Sequence, residues 1–140
     1  MKRASLVLTA LVLLLFGGHR IADANKTYET SLTGAEEVNG GDPDGSGRAL
    51  IGFSPGGNEI CFTLDVSNLS TAVAAHIHRG AAGVNGPIVV TLQAPNNSSI
   101  GCVSVDPALI KEIARNPEAF YVNVHTTDYP GGAIRGQLGK

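Results

Sequence analysis

Apolar and polar residues alternate along this chain in short runs, and the clearest run lies between Glu59 and Val66. There Ile60, Phe62, Leu64 and Val66 share one side while Cys61, Thr63 and Asp65 share the other. That period of two is the signature of a half-buried strand. Runs of the same kind occupy Thr27 to Leu32, Arg48 to Phe53, the stretch up to Arg79, Ile88 to Leu92, Ile100 to Val105, Phe120 to His125 and Ala133 to Leu138. The run Ile88-Val89-Val90-Thr91-Leu92, opened by Pro87, is β-branched and reads as too apolar for an exposed edge. Turn chemistry separates the runs: Ser54-Pro55-Gly56-Gly57-Asn58, the glycine-rich loop Gly80 to Gly86, and Tyr129-Pro130-Gly131-Gly132. One segment has helical spacing instead. Asp106 is placed as its N-cap, Pro107 takes the first helical position, Leu109, Ile110 and Ile113 form an apolar stripe, and Asn116-Pro117 ends it. The pattern predicts an all-β fold, an antiparallel Greek-key β-sandwich or flattened barrel of about eight strands with one short helix.

The N-terminus breaks this pattern. Met1-Lys2-Arg3 precedes an apolar run from Leu6 to Phe16, and small residues at Ala22 and Ala24 fit a signal-peptidase site. The run is too short to span a bilayer core of about 30 Å, so residues 1–24 read as a secretory leader and 25–140 as one mature domain. The leader holds Lys2, Arg3, Arg20 and Asp23, so the 10 basic and 12 acidic side chains of the whole chain become 7 and 11, net −4. An acidic domain is a poor partner for nucleic acid. A secreted or periplasmic location follows, with no membrane span once the leader is gone. In that setting Cys61 and Cys102, both on predicted strands, favour a disulfide over free thiols or soft metal ligands.

Candidate chemistry concentrates in the histidines. Without His19 of the leader, His76, His78 and His125 are the only ones left. At i and i+2 on one strand, His76 and His78 leave the same sheet face. His125 is predicted on a second strand, on the face opposite Val124. Three neutral imidazoles from two strands form a mononuclear metal site suited to copper, with zinc as the alternative, and leave a position open. Tyr121 and Asn123 share the predicted face of His125 and are candidates to fix its ring, and Asp128 is a candidate fourth ligand or supporting carboxylate. Asp42-Pro43-Asp44-Gly45 begins like a calcium loop, but its twelfth position is Phe53 rather than a bidentate Glu, so it reads as a turn.

The segments Ala74-Ala75-His76-Ile77-His78-Arg79-Gly80-Ala81-Ala82-Gly83, Gly86-Pro87-Ile88-Val89-Val90 and Tyr121-Val122-Asn123-Val124-His125 through Gly131-Gly132-Ala133-Ile134-Arg135-Gly136 resemble the chordin-type (CHRD) domain family over nearly all of the mature chain. The resemblance implies an all-β extracytoplasmic domain without implying one activity. The histidine pattern is also similar to that of copper/zinc superoxide dismutases, whose copper is held by a His-x-His pair and a later histidine, with an arginine near the C-terminus that receives the anion. That likeness implies His76, His78 and His125 as copper ligands and Arg135 as the anion guide. The short loop from Gly80 to Pro87 has no histidine, so no second metal is implied.

Arg79, just beyond the pair, is a second candidate for the guiding charge. The expectation is therefore an exported copper protein, superoxide dismutase-like and copper-only, acting on a small anion such as superoxide. The alternatives are a non-catalytic extracytoplasmic binding or structural module and a copper or zinc carrier. A homo-oligomer is compatible with all three.

Overall fold

The computed structural model describes residues 26–54 and 56–139. The expected leader lies outside them. Eight strands form one antiparallel sheet: β1 (Thr27–Thr33), β2 (Ser46–Phe53), β3 (Glu59–Ser67), β4 (Ala72–Arg79), β5 (Ile88–Leu92), β6 (Ser98–Ser104), β7 (Phe120–Thr126) and β8 (Ile134–Gln137). The helix α1 (Pro107–Arg115) stands between β6 and β7. The strand order is β5-β4-β7-β8-β1-β2-β3-β6, so the two edges are consecutive strands joined by the short connection 93–97. Curling brings those edges toward each other and gives a nearly closed barrel in which β3 to β6 follow a Greek key.

Alternation decides which side chains fill the barrel. In β3 the odd-even pattern holds without a break: Ile60, Phe62, Leu64 and Val66 are buried, Asp65 is exposed, and Cys61 and Thr63 are half-buried. Leu32, Ile51, Ile77, Val122, Val124 and Ile134 complete the interior from the other strands. The helix seals one end with the expected stripe. Asp106 caps it by accepting a hydrogen bond from the Ala108 amide at 2.8 Å, and Ile110 and Ile113 are buried. A helix of nine residues is too short to stand alone, so this packing is what keeps it folded.

Two further expectations meet the structure differently. Asp42 does make a turn, its Oδ1 accepting from the amides of Asp44 at 3.1 Å and Gly45 at 3.2 Å. The run Ile88–Leu92, expected inside the sheet, is instead an edge strand, and Ile88 is 51% exposed. Val90 and Leu92 of that run are buried in the core, and Val89 packs against it half-buried. Its β-branched composition matches strand geometry as such rather than burial on both faces.

Candidate metal centre

The outer face of the β4–β7–β8 segment carries the site. In β4, Ala75 and Ile77 point into the barrel, so His76 and His78 point out. In β7, Val122 and Val124 point in, so Tyr121, Asn123 and His125 point out. The register pairs His76 with Asn123, His78 with Tyr121 and Ala74 with His125. His125 thus reaches His76 on the diagonal, where neighbours lie within range of long side chains. Ala74 opposite it is small and leaves the ring room. A register shift between Ile77 and His78, where β4 meets β5, adjusts the strand beside the site.

Ring centroids of His76 and His125 lie 5.0 Å apart, those of His76 and His78 5.5 Å, and those of His78 and His125 6.3 Å. One nitrogen from each ring lies within 4.8 Å of the other two. His76 Nδ1, His78 Nε2 and His125 Nε2 are all buried and have no hydrogen-bond partner. A triangle of that side has its centre about 2.8 Å from each corner, so ring movements of under about 1 Å would give bonds of about 2.0–2.1 Å. The donor set fits a copper or zinc ion.

Backbone carbonyls set the tautomers of two rings. His78 Nδ1 is 2.8 Å from the Gly86 carbonyl oxygen and His125 Nδ1 is 3.0 Å from that of Pro130. In the neutral ring each Nδ1–H donates, so each Nε2 keeps its lone pair for a ligand. Electrostatics act in the same direction. Burial pushes the His76 pKa down to about 4, helped by the neighbouring His125 and His78. Burial lowers that of His78 as well, against the opposing hydrogen bond to Gly86. Both rings are therefore held neutral, the form that binds metal.

The residues expected around the histidines divide into two groups. Tyr121 stacks on His78 with planes 6° apart and centroids 4.7 Å apart, and its hydroxyl accepts from the Gly86 amide at 3.3 Å. Asn123, 2% exposed, lies between His78 and Glu37 and favours the charged form of both. Asp128 stands apart. Its exposed carboxylate accepts from Thr127 Oγ1 at 3.3 Å, and it is not among the side chains that converge on the site. Sequence spacing placed it near His125, but the turn carries it into solvent.

Both candidate guiding arginines already hold protein partners. Arg79 leaves β4 on the face opposite His78 and makes a two-pronged ion pair with Glu112 of α1, at 2.9 and 2.7 Å. Arg135 is 1% exposed. Its guanidinium donates to the carbonyls of Val84 at 3.0 Å and Ala81 at 2.9 Å and to Gln137 Oε1 at 3.2 Å, and it lies 3.4 Å from the Tyr121 ring centroid. It holds down the loop 80–86 from beneath.

Two further residues of the site escaped the sequence reading. Gln137 donates to the carbonyls of Gly80 at 2.6 Å and Glu118 at 2.7 Å. Alternation along β8 puts it on the same face as Arg135, so period two could have found it. Glu37 could not have been found that way, because it follows a 3-10 turn, Gly34–Glu36, inside a polar loop. Its carboxylate packs against Gly132, whose φ of +134° and missing Cβ make the space. Burial pushes the Glu37 pKa up, opposed by the charge of Arg135 and by Asn123.

The CHRD domain family model matches residues 28–138. The chain belongs to the CHRD domain family. No curated protein and no solved structure matches it. In this CHRD domain the three histidines can together hold one metal ion. Cys61 and Cys102 form the disulfide, pairing across β3 and β6 and not on the histidine strands β4 and β7. Among the described residues no helix is long and apolar enough to cross a membrane.

Proposed function

We propose that this CHRD domain is an exported copper protein whose three-histidine site exchanges electrons with a small anion such as superoxide. The observation that carries the reading is the convergence of three buried imidazole nitrogens that have no protein partner. Desolvating three such acceptors costs free energy that nothing in the apo fold returns, and a bound cation would offset it. Copper is favoured over zinc because an all-imidazole set of three binds it more tightly and tolerates both of its oxidation states. When bound, copper would supply one-electron exchange at the open position.

The chain's own residues prepare that position. The carbonyls of Gly86 and Pro130 orient two rings. Tyr121 fixes the plane of His78. An export context is supported by the leader-like residues 1–24 and by the disulfide.

A second reading, a copper carrier without turnover, is favoured by the engagement of both candidate guides: Arg135 is buried beneath the loop 80–86, and the half-exposed Arg79 is paired with Glu112 on the face opposite His78. One series of measurements separates the two. Residues 25–140 are purified, loaded with copper and assayed for metal content, Cu(II) resonance and superoxide removal. One copper per chain with nitrogen hyperfine structure and catalytic removal of superoxide, lost in His76→Ala, supports the dismutase. Stoichiometric copper without turnover leaves the carrier. A chain that takes up no copper overturns both and leaves a non-catalytic binding module.

A further inference from the structure

Arg135 is an arginine buried to 1% exposure on the outside of the barrel, and the anion-guiding role does not account for it. It belongs to a stack: guanidinium, then the Tyr121 ring at 3.4 Å, then the His78 imidazole at 4.7 Å from that ring. We infer that Arg135, carried on Tyr121, is a fixed positive charge that biases the histidine site toward the monovalent ion, so that it prefers Cu(I) over Cu(II). The inference rests on the copper reading of the site.

The geometry supports a charge effect at the site. The guanidinium sits over one face of the Tyr121 ring, and that ring is itself stacked on the His78 imidazole, so the charge is fixed one ring away from the ligand. Its hydrogen bonds go to two carbonyls and an amide oxygen, neutral acceptors that solvate the guanidinium without cancelling it. The facing carboxylate is Glu37, and burial weakens its acidity. The aromatic face attracts the cation and keeps it over the ring that touches His78. A unit charge roughly 10 Å away, at an effective dielectric of about 20, changes the preference between ions differing by one charge by about tenfold. For one electron, tenfold corresponds to about 59 mV.

The test compares Cu(I) and Cu(II) affinities of the full mature chain by competition with chelators specific for each ion. In Arg135→Gln the ratio favouring Cu(I) falls about tenfold, while Arg135→Lys, which keeps the charge, retains it. The same ratio in Arg135→Gln with one copper still bound overturns the role of Arg135 alone. A wild-type chain that binds no copper overturns the copper reading along with it. Because Arg135 also anchors the loop 80–86, Glu37→Gln, of nearly the same shape, provides a second measurement. Read at pH 8.5, it removes the facing carboxylate and raises the preference for Cu(I), and an unchanged or lowered ratio there also overturns the inference.

Discussion

The phenol ring of Tyr121 lies flat on the imidazole of His78, directly across the β4–β7 ladder from it. The pairing locks His78 from one side while the Gly86 carbonyl locks it from the edge, and the Tyr121 hydroxyl closes the circuit by accepting from the Gly86 amide. His78 is thus positioned before any ion arrives. Replacing the ring with an aliphatic side chain keeps the apolar bulk and removes both restraints. Tyr121→Leu is expected to weaken metal binding by about 10-fold to 100-fold, the usual effect of losing a group that orients a ligand. Isothermal titration with Zn(II), which involves no redox step, measures it. Unchanged affinity would mean that the stack has no part in the site.

The three imidazoles should act as a set. Metal that binds only the folded chain stabilises it, by about 2.7 kcal/mol at a free concentration of about 100 times Kd. For a domain of this size that raises Tm by roughly 10 °C. His76→Ala and His125→Ala should each abolish the shift while leaving the metal-free Tm within a few degrees, because both rings face outward from the core. Differential scanning calorimetry with and without metal checks both values. A full shift surviving in either variant would remove that histidine from the ligand set.

Metal-free protein should lose stability on mild acidification. The His76 pKa falls from 6.5 in the unfolded chain to about 4 in the fold, so the unfolded state binds more protons between those values. The contribution of His76 is therefore fully present above pH 6.5 and is lost as pH falls toward 4. His78 shifts in the same direction. Urea midpoints of the apo protein at pH 7.5 and pH 4.5 should differ more for the wild type than for His76→Gln, which has no ring to protonate. Equal differences would show that the burial of His76 is not felt as a penalty on its charged form.

The histidine face was legible because alternation is a local rule. Once β4 and β7 are strands, Ile77 inside means His76 and His78 outside, and Val124 inside means His125 outside. Pairing those two strands required only one small residue, Ala74, opposite His125. The rest depends on chain geometry that alternation does not carry. The edge position of Ile88–Leu92 follows from how far the sheet curls, and its apolar run is the same for a central or an edge strand. Arg135 reads as a solvent-facing residue of an outward face, yet the loop 80–86 folds over that face and its carbonyls claim the guanidinium. Glu37 reaches the site only because the polar loop returns to the start of β8, where the Asp42 amide donates to the Ala133 carbonyl at 2.8 Å. Neither contact leaves a periodic trace.

The disulfide and the metal centre should be separable. Cys61 and Cys102 are direct partners in the β3–β6 ladder, 41 residues apart in sequence. Closing a loop of that length removes enough unfolded-state entropy to stabilise the fold by about 4 kcal/mol. The bridge also fastens β6, an edge strand held in the sheet by β3 alone. The ligands lie on β4 and β7, separated from β3 in the sheet by β8, β1 and β2. Cys61→Ala/Cys102→Ala is thus expected to lower the urea midpoint by roughly 2 M, for a slope of about 2 kcal/mol/M, and to leave metal stoichiometry and affinity unchanged at low denaturant. The opposite result, a lost metal site in a chain that remains folded, would mean that the edge strand and the histidine face unfold as one unit, and the bridge would then be part of the site's support.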